Sequence, residues 1–340
     1  MTHHKLSHGP LFDAAGNLAE VGYATDEAKT YSSDQVRAPW FRLKEWDYYC
    51  VLDDDFGFSC VVADNGYMGL LSATWFDFKA GTVVPIAAVP LLPRGKMGMP
   101  ASANAGDVEA SHKGMTLSFR HEHGGRRLVV DAPQWNDGQG IAADIFLEDR
   151  QDDRMTIVTP YTHSQRAFYY NQKINCMPAS GTVNVAGQTY TFSPDKNFGV
   201  LDWGRGVWAY SNCWYWGSAS GLVDGHRFGF NIGYGFGDTS AASENMLFYD
   251  GVAHKLDQIT FHINPNGFDA GPWQFTSSDG RFEMSFDPVL DREDMIDAMV
   301  LRSFTHQTFG RFNGKAVLDD GTVLEVKDLL GFAEEVITRW

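Results

Sequence analysis

The chain has 340 residues and a formal net charge of −16, with 27 Lys and Arg against 43 Asp and Glu. Such a balance repels nucleic-acid phosphates and anionic headgroups unless a local basic patch exists, and the densest basic pair, Arg126-Arg127, sits between Glu122 and Asp131. No apolar run reaches the roughly 20 residues of a membrane span and the start MTHHKLSHG lacks a hydrophobic signal region, which points to a soluble, cytoplasmic protein with no nucleic-acid partner and no stable membrane insertion.

The length suggests two domains. Residues 1–35 carry few apolar groups and read as an N-terminal arm. From 36 to 192 the chain reads as a β domain of short strands, ending in TVNVAGQTYTF, which looks like a closing hairpin before the turn-rich SPDKN. A second β domain follows over 193–340. Asp-Gly and Asn-Gly pairs such as Asn65-Gly66, Asp224-Gly225 and Asp250-Gly251 tolerate the positive φ of tight hairpins. Alternating ITFHI and RFEMSF supply one apolar face each. Apolar spacing of three to four residues predicts short helices around Asp291 to Leu301 and from Lys327 to Val336. The fold class is mostly β and antiparallel, with few short helices. Cys50, Cys60, Cys176 and Cys213 are too scattered for a disulfide scaffold or a metal site and read as reduced thiols.

The segment FGVLDWGRGVWAYSNCWYWG, residues 198–217, concentrates Trp203, Trp208, Trp214, Trp216 and Tyr215 around Asp202 and Arg205. Aromatic side chains beside ionisable groups form either a core or a ligand-lined cavity. A carboxyl group shut in by indoles would hold its proton near neutral pH, which makes Asp202 the leading candidate for a general acid. The alternative is an architectural clamp between Asp202 and Arg205. In a regular strand Trp214 and Trp216 share one face and Tyr215 takes the other.

A second polar group follows in Asn231, Tyr234, Asp238, Glu244 and Asn245, with Glu244 the second acid, and His163, Tyr170, Asn171 and Lys173 are candidate contributors from the first domain, with an interdomain structural role as the alternative. These residues suit substrate orientation as well as turn capping and buried hydrogen bonding. Gly233, Gly235 and Gly237 do not make a dinucleotide fingerprint, and GSASG places Ala219 where a nucleophile elbow needs serine. His121 and His123 lack a third ligand, so neither a metal nor another cofactor is expected.

The motifs VLDWGRGVW, WYWGSASG, FGFNIGYGFGD and ENMLFYDG, in this order, resemble a bacterial family known as domain of unknown function 2804, over about Pro39 to Val336. More distantly the chain resembles tandem lipocalin-like proteins that include carotenoid 1,2-hydratases, tocopherol cyclase, fungal Diels–Alderase-type cyclases and a ceramide-carrying survival factor. Asp202-Trp203-Gly204 is the nearest match to the candidate proton-donor motif of the hydratases, but lacks the His and Gln inserted there between Asp and Trp. The ending GKAVLDDGTVLEVKDLLGFAEE is similar to the last hairpin of that wider group.

The resemblance implies two lipocalin-like barrels or half-barrels with a cavity for a small hydrophobic molecule in a barrel mouth or between domains. It also implies cofactor-independent hydration, cyclisation or isomerisation, in which an acid protonates an alkene and aromatic faces stabilise the cation. A noncatalytic lipid or isoprenoid carrier and a carbohydrate-active protein are the alternatives. The oligomeric state stays open.

Overall fold

The computed structural model describes residues 2–298 and 301–339. Among the described residues there is no α-helix, only single 3₁₀ turns at Ser33–Gln35 and Trp40–Arg42. Two large antiparallel sheets make up most of the molecule, beside a short parallel pair of Gly9–Pro10 with Lys29–Thr30. In the first, Thr82–Ala88, Gly69–Asp77, Phe56–Asp64, Leu43–Leu52, Phe198–Val207, Ser164–Val185, Ile141–Glu148, Gly125–Ala132, Met115–Glu122 and Val108–His112 lie side by side and curl into a nearly closed barrel. The second is a nine-stranded half-barrel with Ser211–Val223, Val323–Arg339 and Leu301–Val317 at its centre. Two lipocalin-like units result.

Turn chemistry sets the hairpins. At Asp224-Gly225 and Asp250-Gly251 both central residues have positive φ, 51° and 84° in the first and 46° and 87° in the second, the geometry whose twist matches that of paired strands.

The two expected helices are strands instead. Phe282–Ala298 pairs with Leu301–Val317, which pairs with Val323–Arg339, so both segments form long β-ribbons as far as they are described; Met299 and Val300 lie outside the described residues. The helical spacing was produced by burial on both faces: Leu329 and Ala333 pack inside the second sheet, while Leu330 and Phe332 pack between the sheets. A register shift between Pro288 and Leu290 disturbs the alternation further.

The N-terminal arm packs against the first barrel. Leu6, Leu11, Phe12 and Tyr31 are buried in the first core, and Gly22–Ala24 pairs with Met155–Tyr161. Strand Phe198–Val207, after the border expected at 193, hydrogen-bonds to Leu43–Leu52 and Ser164–Val185 in the first sheet, so the chain changes sheet between Val207 and Ser211.

Three apolar clusters follow from this layout. One fills the first barrel around Trp203, Tyr170 and Phe119; another fills the half-barrel around Phe230, Trp273 and Phe312. The third, with Phe76, Val200, Trp216, Phe309 and Phe332, glues the sheets together. The site lies beside that third cluster.

Candidate functional site between the sheets

Strand alternation assigns the residues of the aromatic segment to different faces. Val200 and Asp202 point from the first sheet toward the second, whereas Leu201, Trp203 and Val207 point into the first barrel. From the opposite side, Trp214 and Trp216 face the first sheet and Tyr215 packs into the half-barrel. Gly204 is required here: a Cβ at that position would run into the indole of Trp46, which lies across the strand, and one at Gly206 would meet the Trp208 ring. The glycines of DWGRG let two indoles lie flat on the backbone.

Between the sheets is a cavity of about 280 Å³, near the lower end of the roughly 300–1,000 Å³ typical of small-molecule sites. Trp46, Tyr48, Trp208, Trp214, Trp216 and Phe236 form its aromatic wall, and Lys173, Asp202, Glu244, Gln307 and Glu334 supply its polar groups. Val61, Leu70, Asp294, Ser303 and Thr305 also line it and are only half-buried, which marks the side that reaches solvent.

The polar groups are held in place by specific bonds. Lys173 Nζ is 2.8 Å from Asp202 Oδ2 and 3.7 Å from the centre of the Trp216 ring. Asn171 Nδ2 donates to Asp202 Oδ1 at 2.6 Å. Trp216 Nε1 donates to Asn231 Oδ1 at 2.7 Å, and Asn231 Nδ2 donates to the Glu244 carbonyl at 2.9 Å, so Asn231 ties the Trp216 indole to the Glu244 backbone. Trp214 Nε1 donates to Glu334 Oε1 at 3.1 Å, while Gln307 Nε2 donates both to Glu334 Oε2 at 3.3 Å and to the Tyr48 hydroxyl at 3.2 Å.

Electrostatics separate the acids. Burial pushes the Glu334 carboxyl up to about 7; the Trp214 bond and the charges of Lys173 and Arg292 oppose the rise, and Asp202 reinforces it. Glu244 is also raised, first by burial, with Lys173 opposing and Asp202 adding to the shift. Burial thus shifts two carboxyl groups toward their protonated form beside the Lys173–Asp202 ion pair.

Of the residues expected at the site, Asp202, Glu244, Trp208, Trp214 and Trp216 line the cavity, as does Lys173. Asn171 and Asn231 stand behind it and orient its members. Others lie elsewhere. Arg205 is three residues from Asp202, an odd step on a strand, so the expected clamp between them does not form. Arg205 points into the first barrel, where its guanidinium bonds Asp47 Oδ1 at 3.0 Å, approaches Glu45 at 3.6 Å, bonds three backbone carbonyls and stacks 4.0 Å from the Trp203 ring centre. Trp203 is fully buried there against Tyr31 and Tyr170, and the Tyr170 hydroxyl donates to the Lys29 carbonyl at 2.7 Å. Tyr215 and Tyr234 pack on Phe261 at the far face of the second sheet. Asn245 Oδ1 accepts the Gly233 amide, Asp238 caps Ser240, and His163 is exposed beside Tyr161.

Glu334, Gln307, Tyr48, Trp46 and Phe236 went unnoticed in the sequence. A signal for Glu334 exists: read as a strand, Leu330, Phe332, Glu334 and Val336 occupy one face, and an acid in that apolar series must be buried.

The profile of DUF2804, a domain of unknown function, matches residues 3–340. The chain belongs to this family. No curated protein sequence matches this DUF2804 chain. Among solved structures it is similar to a protein provisionally assigned as an AttH, from Nitrosomonas europaea, with TM-score 0.53, 13% identity and coverage of 91% of this chain and 97% of that one. CghA, solved with Sch210972, gives a TM-score of 0.52 at 11% identity, with 86% and 88% covered. Kievitone hydratase from Nectria haematococca gives 0.49 at 11%, with 87% and 88% covered. At these identities the first two establish a shared fold for the DUF2804 chain.

Proposed function

We propose that this protein binds a small hydrophobic molecule between its two sheets and isomerises, hydrates or cyclises it by acid catalysis, with Glu334 as the principal proton donor. The observation that carries this reading is a carboxyl group with its pKa pushed up to about 7, facing a cavity walled by indoles. A donor poised near the working pH is the most effective general acid. Transfer of its proton to an alkene carbon leaves a carbocation, which the faces of Trp208, Trp214 and Trp216 stabilise. The cation then gives up a proton to the Glu334 carboxylate, either directly, after taking up water or after closing a ring, which yields a neutral product and restores the acid.

Asp202, the acid expected from the sequence, has another part in this scheme. Lys173 holds it in an ion pair, Asn171 donates to it, and its negative charge favours the protonated forms of Glu334 and Glu244. Glu244 is the second donor. CghA, of the same fold, was solved with Sch210972, which is consistent with a ligand-binding architecture.

Mass spectrometry of organic extracts from freshly purified protein tests the proposal. A hydrophobic compound is expected from the native chain and is lost when Ser72→Phe fills the cavity. Glu334→Gln is expected to retain a precursor that differs in mass or chromatographic mobility from the native extract. Recovery of one unchanged compound from both proteins would make it a carrier, and a water-soluble sugar in the extract would remove the hydrophobic reading altogether.

A further inference from the structure

The cavity has an apolar rim that acid catalysis leaves unused. Leu70 and Ser72 face the cavity from the first sheet. Leu71 is paired with Ala88, and Met68 bridges to Leu91, so Val89 and Leu91 continue the face of Leu70 outward from the cavity. They are 40% and 79% exposed.

The turn that anchors this segment also carries two aromatic rings. Gly66, with φ of +77°, lies against the Trp40 carbonyl, where a side chain would collide, and its own carbonyl accepts the Arg94 amide at 3.0 Å. Trp40 and Phe41 are each 46% exposed. Across the opening, Asp294 lines the cavity, and Ile296, two residues farther along the same face, is 50% exposed. Three segments remote in sequence therefore bring large apolar side chains to one mouth, an arrangement that marks an interaction surface.

The charge on the first-sheet side of this rim runs against that of the whole molecule, while across the mouth Asp294 and Asp297 pair with Arg292 and Arg302. Arg37, Arg94 and Lys96 are exposed and Arg42 half-buried, and none of the four forms an ion pair with a described residue. Arg94 lies 4.8 Å from the centre of the Trp40 ring. The acid of the same turn, Asp64, is buried and directs its oxygens to the Gly66 and Met97 amides. Unneutralised cations around exposed Trp, Phe and Leu complement a surface that is both apolar and anionic. Sequence order hides this patch because its basic residues are spread over 37–96.

We propose that this rim docks the protein on anionic lipid headgroups, with Trp40, Phe41 and Leu91 seated at the headgroup–acyl boundary and the cavity mouth turned toward the bilayer. The net −16 of the chain then orients the molecule, since its acidic remainder is repelled from the same surface. The inference goes beyond the catalytic reading and does not depend on Glu334.

Sedimentation of the full chain with vesicles tests it, using phosphatidylcholine alone or mixed with phosphatidylglycerol. Binding is expected to be at least about tenfold stronger to the anionic vesicles at low salt and to weaken as salt rises. The pairs Arg94→Glu with Lys96→Glu, and Trp40→Ser with Leu91→Ser, should each lower partitioning by about tenfold or more while leaving the melting temperature unchanged. Native protein remaining in the supernatant with anionic vesicles would overturn the proposal, as would both double variants pelleting like the native chain. So would a dimer that Leu91→Ser dissolves in the absence of vesicle binding, which would assign the rim to a second copy. A failure here leaves any compound extracted from the cavity in place, so the two readings fall separately.

Discussion

Inside the first barrel, Arg205 meets Asp47, Glu45 and three backbone carbonyls and does not line the cavity between the sheets. On the opposite face of the same strand, Asp202 shares about 280 Å³ of open space with Lys173, Glu244 and Glu334. Both environments are buried and charged. In the first, partners surround the charge and the arrangement is structural. In the second, burial raises the pKa of two acids beside a space that a ligand can fill, which is the arrangement chemistry needs. Burial of charge alone therefore does not identify a site; burial beside a void does.

The largest effect expected is at the closed end of this comparison. Arg205→Leu removes the cation that faces Asp47 and Glu45, two carboxyl groups already raised by burial and held down chiefly by Arg205. Leaving them unpaired should cost about 3–5 kcal/mol of stability. Urea unfolding checks this. A variant that kept its full stability and lost only its ligand would place Arg205 at the site and break the distinction.

Glu334→Gln tests the open end and should act in the opposite direction on stability. The Glu334 carboxyl titrates near 7 when folded, against a usual 4.5. Between these values the folded protein holds a proton that the unfolded chain releases, so Glu334 makes stability fall as pH rises from about 4.5 to about 7. Above 7 the loss is complete and on the order of 3 kcal/mol. The glutamine variant escapes it. Its melting temperature should exceed that of the native protein at pH 8 and match it at pH 4, measured by thermal unfolding at both. Turnover should fall about 10²–10⁴-fold, and native activity should decline as pH rises through about 7, since the donor must be protonated. Equal stability of the two proteins at pH 8 would show that Glu334 is already ionised and end its role as donor.

Much of the fold was legible because the turns carry their own chemistry: the Asp-Gly pairs at 224 and 250 need positive φ at both residues and so announce hairpins. The long ribbons were not, because Leu329, Leu330, Phe332 and Ala333 satisfy two cores at once and imitate helical spacing. That misreading also concealed Glu334, which is an inward-facing acid only if its segment is a strand. Parity along Phe198–Val207 contained the separation of Asp202 from Arg205, whereas the meeting of Tyr48 with Gln307 depends on sheet-on-sheet packing that no local pattern encodes.

The smallest effect expected comes from Tyr215, which stands between Trp214 and Trp216 in sequence and on the other side of the sheet in space. Its hydroxyl donates to Glu335 Oε1 at 2.5 Å, on a half-buried face away from the cavity. Tyr215→Phe deletes that bond but keeps the ring packed against Tyr234. A partly solvated bond of this kind is worth about 1 kcal/mol or less. Unfolding should therefore shift only slightly, and the compound extracted from the cavity should be unchanged in identity and amount. Altered occupancy would mean that the sheet transmits changes from its far face to the indoles of Trp214 and Trp216, so that the two faces could no longer be treated as separate environments.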